Sequence, residues 1–191
     1  KLMTELENYI KSYFGVNTED LQKIVSLFTE TKLAKGEYFV KKGLLCEKLS
    51  FVQTGIIRMY AESGNKDITQ WISSKGYFVT DLSSLVFETP ARWNIQSLTD
   101  CTLYTIDKEN YASIHTLVTN WISLEKLFIA RCFLMLEDRV FNLLSLSAEE
   151  RYDTFFESNP ELFNQVPLQY IASMLGMTPE TFSRIRKKKN S

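Results

Sequence analysis

The sequence is poor in the residues that carry metals and covalent chemistry. Histidine occurs once, at His115, and cysteine three times, at Cys46, Cys101 and Cys132. These cysteines are isolated, odd in number and lack CxxC spacing. That argues against a disulfide framework, a four-thiolate metal site and an iron–sulfur cluster, and it fits a reducing, cytoplasmic setting. A lone histidine just after a strand-rich region reads as a surface or helix-start residue. No Gly-rich phosphate loop, GxSxG or HExxH is present, and no catalytic residue is assigned. Long apolar runs are also missing. The greasiest stretch, LFIARCFLML at 127–136, is interrupted by Arg131, whereas a membrane span needs about 20 apolar residues. The start, KLMTELENYI, lacks the basic-then-apolar layout of a signal segment.

What is present is ordinary in amount and uneven in place. Hydrophobic residues make up 45% and charged residues 24%, as in globular chains, and the formal net charge is −1. Residues 179–191 nevertheless carry +4, against −5 for residues 1–178. Arg184, Arg186, Lys187, Lys188 and Lys189 crowd into the last eight residues. A mildly acidic body with a basic end points to a polyanion at that end, or to a solvated, frayed terminus.

Three zones follow from periodicity: 1–110, 111–146 and 147–191. Leu21, Ile24, Val25 and Phe28 fall at helical spacing, with Thr18 as a cap. Residues 30–107 read as short strands, among them YFV (38–40), LSFV (49–52), IIRMYA (56–61), ITQWIS (68–73), YFV (77–79), WNIQSL (93–98) and CTLYTI (101–106). They are β-branched and aromatic, and turn residues separate them. IIRMYA–ESGNKD–ITQWIS reads as a hairpin. This spacing predicts a sandwich, barrel or roll.

From about 108 to 146 the period turns helical. Leu117, Trp121, Leu124, Phe128 and Met135 form one apolar stripe. Val118, Ile122, Ile129, Phe133, Leu136 and Val140 form another beside it. A helix greasy on two faces buries both. One face covers the β domain and the other meets a second copy of the chain, with the first stripe assigned to the dimer; the alternative is one buried helix in a monomer. A hinge is expected near Leu146 to Glu149. Residues 148–157 read as a further helix.

The C-terminal segment LQYIASMLGMTPETFSRIRKKK carries the clearest pattern. Leu168, Ile171, Ala172 and Leu175 make the apolar face of a short helix. Gly176 suits a left-handed turn. Thr178 can cap a second helix, Pro179 can open it and Glu180 favours its first turn. Phe182 and Ile185 face the first helix. This is a helix-turn-helix layout, in which the second helix enters the major groove. Its outward residues are Glu180, Thr181, Ser183, Arg184 and Lys187. Arg184 can pair with guanine and Glu180 with cytosine, while Thr178, Ser183 and the lysines, Lys188 included, suit phosphates. Glu180–Arg184 is equally an ordinary i, i+4 ion pair.

Together, the strand-rich zone, the two-faced helix and LQYIASMLGMTPETFSRIRK resemble the Crp/Fnr family of bacterial transcription regulators over roughly residues 20–189. AEERYDTFF (148–156) and IASMLGMTPETFSRIRK are similar to the Bacteroidetes branch. The resemblance implies an α+β chain: an antiparallel β-roll sensor (double-stranded β-helix, jelly-roll-like), a long dimerisation helix and a C-terminal helix-turn-helix. It implies a homodimer on near-palindromic double-stranded DNA, with RNA polymerase as a further partner. Pro179 stands where the family carries a basic base-reading residue. The family's phosphate cassette matches GYFVTDLSSLVFETPARWNIQSL (76–98). Thr80 stands at its glycine and Asp81 at its glutamate, with Leu82 next. Ala91 occupies the arginine position and Arg92 falls one residue late, beside Trp93. A shift of one residue on a strand turns a side chain to the opposite face. Cyclic AMP is therefore not the expected effector. A different small effector or none remains, with Arg92 the first residue to examine. Neither haem nor an iron–sulfur cluster is expected. A rival reading is a small-molecule-binding module whose C-terminal helices serve protein interaction.

Overall fold

The structure is a computed structural model, and it describes residues 4–189. Residues 1–3, which open the first zone and the KLMTELENYI stretch, and residues 190–191, which close the last zone, lie outside the described residues. The order is α1 (Glu5–Phe14), α2 (Thr18–Val25), β1 (Thr29–Leu33), β2 (Tyr38–Val40), β3 (Lys48–Thr54), β4 (Ile57–Ser63), β5 (Lys66–Ser73), β6 (Phe78–Val79), α3 (Leu82–Phe87), β7 (Asn94–Ser97), β8 (Cys101–Asp107), α4 (Lys108–Leu117), α5 (Trp121–Ser145), α6 (Ala148–Ser158), α7 (Leu162–Gln165), α8 (Leu168–Met174) and α9 (Pro179–Lys189). The strands form two sheets, ordered β1-β8-β3-β6 and β2-β7-β4-β5. The β3–β8, β1–β8, β3–β6 and β2–β7 pairs are antiparallel. This is the expected α+β roll with a long helix and C-terminal helices. No helix among the described residues is long and apolar enough to cross a membrane.

The chain divides into two compact units. One comprises residues 1–59 and 73–133, the other residues 60–72 and 134–191. The division differs from the three sequence zones. The outer part of the β4–β5 hairpin groups with the C-terminal helices, and the boundary crosses α5 after Phe133.

In the first unit the helices are specified locally. Thr4 and Glu7 form a capping box on α1, and Asn17 caps α2 through Asp20 N–H at 2.9 Å. The cap of α2 is thus Asn17, and Thr18 is its first helical residue. Leu6, Ile10, Phe14, Leu21 and Ile24 go to a core shared with Leu49, Phe51, Ile106, Ile114, Trp121 and Phe128. Phe14 stacks on Phe128 with ring centroids 4.5 Å apart and on Trp121 at 4.9 Å. Burying one such ring contributes about 1.5–3 kcal/mol. A second cluster joins Phe39, Val40, Cys46, Val52, Ile57, Val79, Ala91, Ile95, Cys101 and Leu103.

Two expectations about elements change, while TETKL, at the start of the zone read as strands, is β1. It is an edge strand that pairs only with β8, and Thr31 and Thr105 hydroxyls meet at 2.6 Å across it. LSSLVF inside the cassette is a helix, α3, because Asp81 caps it. The helical zone 108–146 is two helices. Val118 is extended (φ −123°, ψ 107°) and fully buried. The Asn120 carbonyl then starts α5, accepting from Ser123 N–H at 3.0 Å. Val118 keeps its inward register across the break, so the apolar period runs on although the helix does not.

Gly55, in the β3–β4 connection, has φ 94°, and a Cβ there would lie 2.5 Å from Cys101 Sγ and 2.6 Å from the Asp100 carbonyl oxygen. Gly55→Ala adds left-handed strain to a backbone clash, so it is expected to cost about 3 kcal/mol in urea denaturation. A loss below about 1 kcal/mol would mean that the connection opens freely.

Candidate functional site

The second unit holds the helix pair. In α8, Ile171 and Ala172 are fully buried and Met174 nearly so, while Leu168 and Leu175 are half-buried. The helix closes on Gly176 at φ 69°, with Met177 N–H donating to the Ala172 carbonyl (3.0 Å) and Gly176 N–H to the Ser173 carbonyl (3.1 Å). This paired closure requires a left-handed residue, which glycine adopts without a Cβ penalty. A Cβ on Gly176 would also come within 3.0 Å of Leu143 Cδ2.

Two residues on, Thr178 Oγ1 accepts from Thr181 N–H at 3.2 Å, and Pro179 opens α9. Glu180 lies in the first turn. Its carboxyl is held below the ordinary carboxylate range, first by its own backbone N–H at the helix N-terminus, then by the Thr178 hydroxyl. Phe182 and Ile185 are buried. Phe182 meets Tyr152 at 5.2 Å and Phe163 at 5.8 Å between ring centroids, which fixes the roll of α9 about its axis. With that face committed, Thr178, Pro179, Glu180, Ser183, Arg184, Lys187 and Lys188 are exposed and Thr181 is half-exposed. Two tail lysines also have acidic neighbours. Lys188 Nζ lies 3.1 Å from Glu149 Oε2, and Lys189 Nζ 2.8 Å from Asp153 Oδ2. Such exposed pairs are weak and exchangeable. Arg184 and Lys187 are thus the cations of the outward face nearest the start of α9.

The segment around Leu146 to Glu149, expected as a hinge, lies inside this unit. Ser147 and Glu150 form a capping box there, and Arg151 donates to the Leu146 (2.6 Å) and Leu175 (2.8 Å) carbonyls. These bonds stiffen the segment.

In the cassette, the polar side chains hydrogen-bond to the loop itself or to β3. Thr80 Oγ1 donates to the Lys48 carbonyl at 2.9 Å. Asp81 Oδ1 accepts from Ser84 N–H (3.0 Å) and Ser83 Oγ (2.9 Å), and Asp81 Oδ2 from Arg92 N–H (2.9 Å). Leu82 packs against the larger core cluster. Ala91 is buried in the smaller cluster, and its backbone is tied to Leu44 and Gly43. Arg92 is exposed, with its guanidinium 5.7 Å from the Trp93 ring centroid. Residues 91–93 precede β7 instead of lying on it, and there the methyl of Ala91 enters the core while the charge of Arg92 stays outside. Cys101 is buried and burial raises its pKa; burial also pushes Cys132 up to about 11. In both, burial disfavours the thiolate. Among the described residues, no group of three or more His, Cys, Asp or Glu is placed to hold a metal.

Burial divides the two stripes differently, and Val118 of the second one is itself buried. Trp121 and Phe128 are buried in the first unit's core and Leu124 packs against it, so these three are not available to a partner chain. Leu117 lies on α4 and is exposed, as is Met135 on α5. The open face of α5 instead carries Ile122 (75% exposed), Ile129, Phe133 (60%), Leu136 and Val140. The aromatic stripe was drawn into the roll because Phe14 of α1 stacks on it.

Residues 30–116 match the family model described as the cyclic nucleotide-binding domain. A direct comparison with curated proteins finds no match. Among solved structures, the chain is similar to FixK2 from Bradyrhizobium japonicum, at 18% identity and TM-score 0.71 over 84% of this chain and 83% of that one. It is also similar to the c-di-GMP-responsive global regulator CLP of Xanthomonas campestris, at 16% identity and TM-score 0.68 over 91% and 92%. The regulatory domain of Toxoplasma gondii PKA, solved with cAMP, matches at 18% identity and TM-score 0.53 over 58% of this chain. This chain spans only 43% of that structure. A cyclic nucleotide-binding-type roll at residues 30–116, followed by a long helix and a C-terminal helix pair, is the architecture of the Crp/Fnr transcription regulators, and this chain has that fold.

Proposed function

We propose that the chain is a sequence-specific, DNA-binding transcription regulator of the Crp/Fnr type, cytoplasmic and without enzymatic activity, that works as a homodimer. The observation that carries this reading is the division of α9 into two faces. Phe182 and Ile185 anchor it in an aromatic cluster, while Glu180, Ser183, Arg184 and Lys187 stand outward at one side. A capped, rigid helix presenting an arginine and a carboxylate four residues apart suits base edges in a major groove. RNA polymerase, where the promoter brings it beside the bound dimer, is the further partner in this reading.

The dimer is assigned to the exposed stripe of α5. Ile122, Ile129 and Leu136 recur every seven residues, and Phe133 and Val140 follow at four. This is the a/d pattern of a two-stranded helical seam. A solvated face this apolar is costly on an isolated chain, and a second copy offers the same face in return. The roll is the sensor in this reading. An anionic cyclic phosphate is not its ligand, because the cassette carries no inward cation to neutralise it. The rival, a small-molecule module whose helices bind protein, draws on the family match over residues 30–116.

Three outcomes test these points. Selection of bound duplexes from a random pool should return an inverted repeat, and Arg184→Ala should bind it about 10- to 100-fold more weakly, or about 1–3 kcal/mol, with relaxed base preference. Lys187→Ala should weaken all sequences alike and lower the salt slope by about 1. A pool that yields no repeat favours the rival. Phe133→Glu should convert a dimer to monomer in sedimentation equilibrium without unfolding the roll, and an unchanged mass would move the interface elsewhere. Titration calorimetry with cyclic AMP at about 1 mM, a level at which only binding weaker than about −4 kcal/mol escapes, should give no saturable heat.

A further inference from the structure

The chain enters and leaves the second unit more than once, since residues 60–72 and 134–191 belong to it together. The C-terminal helices are therefore packed with a hairpin whose strands begin in the roll. What joins them is on the page. Thr69 N–H, on the edge strand β5, donates to Ser173 Oγ of α8 at 2.9 Å. Arg139 of α5 donates through one guanidinium nitrogen to the Gln70 carbonyl of β5, and through the other to the Met174 carbonyl of α8 at 3.1 Å. Its guanidinium also lies 5.3 Å from the Trp71 ring centroid. One planar cation thus closes two backbone acceptors, one on an edge strand and one at a helix C-terminus. An ammonium has no such fork.

We propose that Arg139 is a positioning residue for DNA reading: it clasps the β4–β5 hairpin to α8, so that the hairpin and the α8–α9 pair move as one body. This rests on the DNA-reading function proposed above. The consequence differs from a hinge at Leu146 to Glu149. A conformational signal from the roll reaches the reading helices through the hairpin, and the orientation of α9 is set by Thr69 and Gln70 as well as by α5.

The test uses the full chain and three variants, Arg139→Gln, Arg139→Lys and Ser173→Ala. Amide hydrogen exchange, read by mass spectrometry, is followed in residues 66–73 and 168–175, with α1 as the internal control. Arg139→Gln should raise exchange at least tenfold in both segments and leave α1 unchanged. Ser173→Ala should do the same to a smaller extent, and Arg139→Lys should recover part of the protection. Faster exchange in only one segment, or in neither, overturns the clasp. The second readout is binding to the selected inverted repeat with half-sites moved apart or together by one base pair. Wild type should discriminate spacing at least tenfold, and Arg139→Gln should discriminate less than threefold while keeping its preference within each half-site. Retained spacing discrimination in Arg139→Gln overturns the positioning role. Should wild type bind no repeat, the DNA-reading function fails, and the exchange data still decide the clasp by themselves. If Arg139→Gln does not fold, Ser173→Ala and Arg139→Lys carry both readouts.

Discussion

Arginines close helix C-terminal carbonyls in both compact units of this molecule. The last carbonyls of a helix have no partner within it, and leaving them buried and bare is expensive. Arg131 of α5 donates to the Ser12 and Tyr13 carbonyls at the end of α1, at 2.8 and 2.6 Å. Eight residues on, Arg139 donates to the Met174 carbonyl at the end of α8. Arg151 takes Leu175, the next residue. The helix α5 thereby contributes one clamp within each compact unit. The charge that interrupts its greasiest stretch is part of how the first unit closes on it.

The same economy of polar groups explains why the cassette resembles its relatives in sequence pattern yet differs in chemistry. Asp81 stands where the resemblance implies a glutamate for a ribose. Its two oxygens accept from Ser83, Ser84 and Arg92 of the same loop, and so they cap α3. Ala91 fills with a methyl the place where a cyclic phosphate calls for a cation. The polar groups of the cassette are thus taken up by protein partners.

Most of the helix pair was legible in advance, for a physical reason. Gly176, Thr178, Pro179, Phe182 and Ile185 act within one or two turns of chain, so local rules of left-handed closure, capping and helical spacing suffice. The strands with β-branched, aromatic character were legible likewise. TETKL fell within the zone read as strands, but its partner, β8, was not legible from local preference. LSSLVF was not, since its cap is a residue read as a ligand contact. The break at Val118 was hidden by a side chain that stays in register.

The sequence by itself determined the architecture: a roll, a long apolar helix and a capped helix pair with its cations outward. Those features follow from period, turn chemistry and charge, which act over a few residues. Only the tertiary structure decided which residues of α5 go into the first unit's core, because that depends on Phe14, near the start of the chain, stacking on Phe128. It alone assigned Asp81 to a cap and Arg92 to the surface. It alone brought Thr69, Gln70, Ser173 and Arg139 together. Contacts between residues 35 to 104 positions apart leave no periodic trace along a chain.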